Sequence, residues 1–311
     1  MSTPSYDKVD YRLRPAKQVE RRMFLDAFQR MIQSGFYLRK YMYIGFGAVY
    51  FYDFRLFHKI LGINRMLSVE HNRNDENRIK FNRPFAMLNI KIAEVGDVIQ
   101  ELSMDDKYIL WLDYDLPINS TITSDLYQTG VSLSKGSIII VTVDLGNMSD
   151  SPNDANKVRE YLFEEAGHLC DGRRKEDFAA SALPKTVGEI LTAAIRLGLV
   201  GRSVEYQQLF NFVYKDTTEM LTIGGVICGN EEKTKLKGLD TDGANYFRMQ
   251  ESKQPYIIRV PLFTRKERSI IDSGEGYDEE LVKEIFHGKD EEVKAYKEIY
   301  RYLPAYAELL L

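Results

Sequence analysis

Tyr41-Met42-Tyr43-Ile44-Gly45-Phe46-Gly47 and Met66-Leu67-Ser68-Val69-Glu70 decide how this chain reads. The first is an apolar run stopped by a G-x-G turn and followed by a helix-like stretch from Ala48 to Leu61; the second is a strand-like run that ends on a carboxylate. Strand, tight turn, helix and strand make the repeating unit of a parallel sheet, because neighbouring parallel strands need a crossover long enough to hold a helix.

The same alternation continues outward. Ala86 to Ile92 predicts a third strand, followed by Gly96-Asp97 and a helical turn from Val98 to Leu102. Tyr108 to Leu112 predicts a fourth, ending on Asp113, and after a polar helix around Ser120 to Leu126 the β-branched run Ser137 to Val143 predicts a fifth. Helices around Asp154 to Leu169 and Thr186 to Leu197 precede two more strands, Leu209 to Tyr214 and Met220 to Cys228, joined only by Lys215-Asp216-Thr217-Thr218-Glu219. So short a link closes an antiparallel hairpin and not a parallel crossover. The expectation is an α/β fold: a seven-stranded mixed sheet, its last strand antiparallel, with helices on both faces.

At the N-terminal end, Val19, Met23, Phe24, Phe28, Met31 and Ile32 fall at helical spacing between Lys17 and Gln33, with Pro15 near the start. At the other end, residues 230–254 are polar and rich in Gly, Lys and Asp, which reads as a surface insertion before a strand at Tyr256 to Val260 and helical segments to the end. The expected organisation is an N-terminal helical cap over 1–35, a sheet domain over 36–230, and an insertion with a C-terminal helical extension over 231–311, with no internal repeat.

With 44% hydrophobic and 28% charged residues among 311, the chain can bury a sizeable core and keep a solvated surface. Its 42 basic and 46 acidic side chains, formal net charge -4, create no global field toward nucleic acid or an anionic membrane. Cys170 and Cys228 lack metal or redox spacing and read as buried thiols of a reducing compartment. The first residues lack a signal-peptide pattern and no apolar stretch approaches a membrane span, so the expectation is a cytoplasmic protein with no membrane partner and no indicated nucleic-acid partner.

In an open α/β sheet a ligand lies outside the carboxyl ends of the strands, where strand order reverses, so the residues closing the first four strands are the candidates. At Tyr43, Gly45, Phe46 and Gly47 a tight turn lets backbone approach a ligand at a helix N-terminus. Glu70 could accept both hydroxyls of a ribose, and Asp97 the exocyclic amine of an adenine, unless it simply caps a helix. Asp113 and Asp115 would face the place where cofactor and acceptor meet. A nicotinamide dinucleotide fits poorly, because Tyr50 stands where its fingerprint needs a third glycine for the pyrophosphate turn. S-adenosylmethionine has no pyrophosphate and tolerates the looser turn.

The order Tyr43-Ile44-Gly45-Phe46-Gly47, Leu67-Ser68-Val69-Glu70, Gly96-Asp97 and Trp111-Leu112-Asp113-Tyr114-Asp115 resembles the class I S-adenosylmethionine-dependent methyltransferases. With Tyr11-Arg12-Leu13-Arg14-Pro15-Ala16-Lys17-Gln18-Val19-Glu20-Arg21 and Tyr50-Phe51-Tyr52-Asp53-Phe54 included, the chain resembles over most of its length a bacterial family described as "putative O-methyltransferases". The resemblance implies a Rossmann-like sheet, S-adenosylmethionine as cofactor with contacts at Gly45, Gly47, Glu70 and Asp97, and no particular acceptor. The chain departs from the class pattern at Tyr43, where an acid is usual, and at Val49, where a third small residue is usual; Asp113 is then the substitute partner for the methionine amino group. The expected reaction is methyl transfer to an oxygen or nitrogen of an unidentified acceptor, with Asp113 or Asp115 as base. Asp113-Tyr114-Asp115-Leu116-Pro117 does not match the Asn-Pro-Pro-Tyr type of segment that would point to a DNA amine. The alternative is a degenerate cofactor-binding module that works with a protein partner in a bacterial defence or regulatory complex without methyl transfer.

Other residues carry weaker signals. Arg14, Lys17, Arg21 and Arg22 could cover the cofactor mouth or bind an anionic acceptor, but the favoured reading is a solvated face opposite Val19, Met23 and Phe24. The cluster Phe46, Tyr50, Phe51, Tyr52, Phe54 and Phe57 reads as core before it reads as a ligand wall. His168 follows Glu164 and Glu165 at a spacing that could share a metal on a helix, and Asp113 with Asp144 could hold magnesium, but no metal is expected. His58, His71 and His287 have no assigned role.

Overall fold

A computed structural model describes residues 14–148, 154–249, 254–273 and 284–304; Tyr11, Arg12 and Leu13 of the N-terminal motif lie outside them. Five parallel strands form one half of the sheet: β1 (Met42–Gly45), β2 (Arg65–Glu70), β3 (Leu88–Ile92), β4 (Tyr108–Pro117) and β5 (Ile138–Asp144). The hairpin of β6 (Glu205–Lys215) and β7 (Glu219–Cys228) follows, with β7 antiparallel to both β5 and β6. The Rossmann-like mixed sheet expected from the sequence is thus present, with one strand more than the seven expected. Tyr256 to Ile258 (β8) pairs in parallel with Phe212 to Tyr214, giving eight strands in the order β3-β2-β1-β4-β5-β7-β6-β8.

Helices cover both faces. One face packs against α1 (Pro15–Gln33), α2 (Tyr52–Leu61) and α3 (Glu76–Phe81), the other against α4 (Val95–Gln100), α5 (Ser120–Ser132), α6 (Ala155–Ala166) and α7 (Leu183–Gly198). β5 runs between these layers, and Ile138, Ile139, Ile140, Val141 and Val143 are all buried, which is why it reads as an unbroken apolar run and not as an alternating one. α5 and α7 cross where Gly130 meets Gly198; a Cβ on Gly198 would stand 2.0 Å from the carbonyl oxygen of Tyr127.

The described part of the expected surface insertion, residues 230–249, is anchored as well as exposed. It begins with α8 (Asn230–Lys237), and Leu236, Leu239, Ala244, Tyr246 and Phe247 are buried in the same apolar cluster as α1 and β6. Tyr246 stacks on Phe247 at 4.8 Å and sends its hydroxyl to Asp26 at 2.7 Å, so a few large side chains anchor an otherwise hydrophilic segment. Beyond β8 lie α9 (Arg265–Ser273) and α10 (Asp290–Ile299), with a small core of Phe263, Ile270, Phe286 and Tyr296. Cys170 and Cys228 are free and buried. Among the described residues no helix is long and apolar enough to cross a membrane.

Candidate functional site

The strand order reverses between β1 and β4, and a cavity of about 340 Å³ opens there, at the carboxyl ends of the strands. Phe46 and Ala48 line it from the β1 turn, Glu70 and His71 from β2, Glu94 and Val95 from the start of α4, and Asp113, Tyr114, Asp115 and Leu116 from β4. The fourth strand does not stop at Asp113 as its sequence suggests. It continues to Pro117 through a register shift against β5, and this irregular stretch lays four consecutive side chains along the cavity.

Glu70 is the most tightly fixed of the expected residues. Its Oε1 accepts the backbone N–H groups of Gly47 at 2.9 Å and Ala48 at 3.0 Å and the Ser68 hydroxyl at 2.7 Å. All three bonds fall on one oxygen, so the second carboxylate oxygen stands apart from them. Burial pushes the Glu70 carboxyl up, against the pull of these hydrogen bonds. The turn that supplies the amides is strained: Ala48 and Phe51 sit at φ 46° and 48°, in the left-handed region that residues with a Cβ seldom enter.

The two glycines of that turn answer to packing. A Cβ on Gly45 would meet the Tyr43 hydroxyl at 2.7 Å, and one on Gly47 would meet the Phe51 ring at 2.4 Å and Ser68 Oγ at 2.6 Å. Neither glycine is among the cavity-lining residues, although both flank Phe46, which is. Tyr43, expected at the cofactor, is instead fully buried on the α1–α2 side, edge-on to Phe54 at 4.7 Å and Phe57 at 4.9 Å, with its hydroxyl donated to Asp53. Alternation along β1 puts Tyr43 and Gly45 on the same face, so the glycine makes room for the tyrosine hydroxyl.

Asp97 does not reach the cavity either. The helix starts at Val95 with Glu94 as its N-cap, which leaves Asp97 exposed in the first turn and not at the cap position. The carboxylate that α4 does meet is Asp125 of α5. Asp125 lines the cavity, accepts the Tyr114 hydroxyl at 2.6 Å, and has an oxygen 2.6 Å from where a Gly96 Cβ would be. Burial pushes its carboxyl up, as do Glu94 and Asp97, against the Tyr114 bond.

Asp113 is not a free carboxylate. Its Oδ1 accepts from Lys17 Nζ at 2.6 Å, and the lysine side chain is 0% exposed. Lys17 Nζ also reaches Glu20 Oε2 at 2.8 Å and the Tyr214 hydroxyl at 3.0 Å, and lies over the Trp111 ring at 4.6 Å. Burial alone would raise the Asp113 carboxyl, but Lys17, through charge and hydrogen bond, with the Arg14 and Arg21 guanidiniums, holds it below its ordinary value. The first two turns of α1 are therefore no solvated face: Lys17, Glu20 and Arg21 are buried, because Asp216 of the β6–β7 turn accepts the Ala16 and Lys17 amides at 2.9 and 3.1 Å and draws the helix end onto the sheet. Arg14 lines the cavity and pairs with the same Asp216 at 3.6 Å.

The metal readings gain no geometry. Asp144 spends its oxygens on Gly146 N, Thr218 Oγ1 and Asn147 Nδ2. α6 ends at Ala166, before His168, so the helical spacing from Glu164 and Glu165 does not apply. Among the described residues no group of three or more His, Cys, Asp or Glu could hold a metal ion. The aromatic cluster divides as core and wall: Phe51, Phe54 and Phe57 are fully buried, while Phe46 lines the cavity edge-on to Tyr114 at 5.4 Å.

A family model described as "Putative O-methyltransferase" matches residues 9–311. No curated protein matches the chain. Among solved structures, Trm1 from Pyrococcus horikoshii in complex with S-adenosyl-L-methionine is similar at 12% identity over 77% of this chain, with a TM-score of 0.45. This chain covers 64% of that protein's length, less than two thirds of it. A "probable spermidine synthase" from Corynebacterium glutamicum is similar at 12% identity over 79% of this chain and 82% of that one, TM-score 0.41. Cofactor-bound Rv0187 from MTB is similar at 10% identity over 68% of this chain and 81% of that one, TM-score 0.38.

Proposed function

We propose, for a chain that belongs to the family described as "Putative O-methyltransferase", that the cavity between β1, β2 and β4 binds S-adenosylmethionine and that the chain transfers its methyl group to an oxygen or nitrogen of an acceptor. The observation that carries this reading is the Glu70 carboxylate, pinned through one oxygen by the Gly47 and Ala48 amides at the end of β2, beside the point where strand order reverses. Its second oxygen is suited to accept ribose hydroxyls.

The remaining residues fit the same ligand. Asp125, at the α4 end, takes the role toward the adenine amine that Asp97 is too far out to take. Phe46 and Tyr114 supply apolar wall. Asp113, kept ionised, is a weak proton acceptor and a good partner for the ammonium of the methionine part. That leaves Asp115, exposed on the same edge of the cavity with Leu116, to accept the acceptor's proton. The bound cofactor supplies a methyl group that is already electrophilic on its sulfonium, so these side chains have to orient the acceptor, exclude water and take one proton.

Isothermal titration of the wild-type chain and of Glu70→Ala with S-adenosylmethionine tests the cofactor site, and a labelled-methyl assay on cell lysate tests transfer. Binding by the wild type, greatly weakened in the variant, is the expected result; equal affinity in both removes the proposed site. Binding with no labelled product would favour the module that holds the cofactor without transfer, the reading that the replacement of an acid by Tyr43 keeps open.

A further inference from the structure

The geometry points to Lys17 as a positioning residue of the cofactor site, holding Asp113 so that its other oxygen is presented to the ammonium of the methionine part. The inference rests on the S-adenosylmethionine reading above and extends the site to a helix that lies before the sheet in sequence. A lysine with no exposed surface that spans 96 residues to meet a cavity-lining carboxylate at 2.6 Å is a costly arrangement, since removal of both charges from water is repaid only by close and complete hydrogen bonding. Here the contacts continue inward: an ion pair from Lys17 to Glu20 at 2.8 Å, then hydrogen bonds from the Thr222 hydroxyl to the other Glu20 oxygen, between Thr222 and Thr142 at 2.9 Å, and from the Trp111 indole N–H to Thr142 at 3.1 Å. Trp111 stands on β4 two residues before Asp113, so this network fixes both the lysine and the strand whose end carries the carboxylate.

The groups that face Asp113 come from every element around it: Arg14, Lys17, Glu20 and Arg21 of α1, Tyr43 of β1, Asp53 of α2 and Tyr214 of β6. Of these, Lys17 makes the direct bond to its carboxylate and exerts the largest charge effect on it. Loss of Lys17 therefore leaves the half-buried Asp113 beside more distant cations, with its carboxylate both less fixed and easier to protonate.

The test measures affinity by isothermal titration for two probes, S-adenosylmethionine and 5′-methylthioadenosine, which lacks the amino-acid part, in the wild type, Lys17→Met, Asp113→Asn and the double variant. Lys17→Met is expected to weaken S-adenosylmethionine about tenfold and to leave 5′-methylthioadenosine within about twofold. Its loss should deepen as pH falls from about 8 to about 5, while the wild-type preference stays flat. Added to Asp113→Asn, Lys17→Met should change nothing further. If Lys17→Met does not fold by circular dichroism, Asp113→Asn and the double variant decide: equal affinities support the role, and a further tenfold loss overturns it. Equal loss of both probes in Lys17→Met also overturns it, as a structural effect. A wild type that binds neither probe overturns the cofactor reading and this role with it; one that binds both probes equally removes the contact by Asp113 and this role, and leaves the adenosyl site standing.

Discussion

Ala48 donates its backbone N–H to the Glu70 carboxylate at 3.0 Å from a left-handed backbone, φ 46°. The turn holds the amide on the carboxylate with the alanine in that conformation, which it enters at a cost of about 1 kcal/mol. Ala48→Gly relieves the strain but gives the unfolded chain more freedom, so urea unfolding should find it unchanged or up to about 1 kcal/mol more stable, with cofactor affinity retained. Ala48→Val, β-branched in the same conformation, should lose about 2 kcal/mol and weaken the cofactor as the amide leaves Glu70. A valine variant as stable as wild type would mean that the turn does not need this geometry.

A second close approach lies in the scaffold. Gly198 of α7 faces Gly130 of α5, and a Cβ on Gly130 would stand 2.3 Å from the carbonyl oxygen of Ile195. These neighbours are backbone, which cannot rotate aside. Gly198→Ala and Gly130→Ala should each destabilise by about 2–3 kcal/mol in urea unfolding. Because both fill one gap, the double variant should cost less than the sum of the two.

Local pattern made much of this legible. The apolar run over Ile138 to Val143, the two-glycine stop after Ile44 and the carboxylate closing Met66 to Val69 fixed the parallel half of the sheet, and the five-residue link Lys215 to Glu219 fixed the reversed strand. What stayed hidden was set by distant partners. Lys17 reads as a surface charge until Asp113, Glu20 and Tyr214 are folded around it, and Asp216, which pulls that helix end inward, lies about 200 residues away in sequence. Tyr246 and Phe247 sit in a hydrophilic stretch whose average conceals them, and while the strand at Tyr256 was legible, its pairing with Phe212 to Tyr214 as an eighth strand of the sheet was not, because that partner lies about 40 residues away. Asp97 could not be placed because Gly-Asp after a strand fits a cap as well as a ligand contact, and the structure puts the cap three residues earlier, at Glu94, leaving Asp97 exposed.

Glu20 offers a test of the buried network by pH. Burial raises its carboxyl above the ordinary 4.5, despite Lys17 and Thr222. A group whose native pKa is raised contributes stability that is fully present below the unfolded value and is lost as pH rises through the native one. Glu20→Gln keeps the shape and removes the ionisation. Relative to wild type it should therefore gain stability between about pH 4 and about pH 7, followed by urea unfolding at each pH. A difference that stays constant over this range, or shifts toward the wild type as pH rises, would mean that Lys17 outweighs burial.

On the proposed cofactor placement, the adenine end separates two carboxylates that sequence alone does not rank. Asp97 points from the first turn of α4 into solvent, while Asp125 lines the cavity with one oxygen on the Tyr114 hydroxyl and the other against Gly96. A buried carboxylate that meets an amine makes a stronger contact than an exposed one, by roughly the 1.5–3 kcal/mol of a hydrogen bond to a charged group. Asp125→Asn should thus lower S-adenosylmethionine affinity about tenfold, and Asp97→Asn less than about twofold, by isothermal titration. Gly96→Ala should weaken it too, since the new Cβ would displace Asp125 while leaving Asp97 where it is. If Asp97→Asn proved the more damaging change, the adenine would have to lie on the outer face of α4, and the Asp125 side of the cavity would belong to the acceptor.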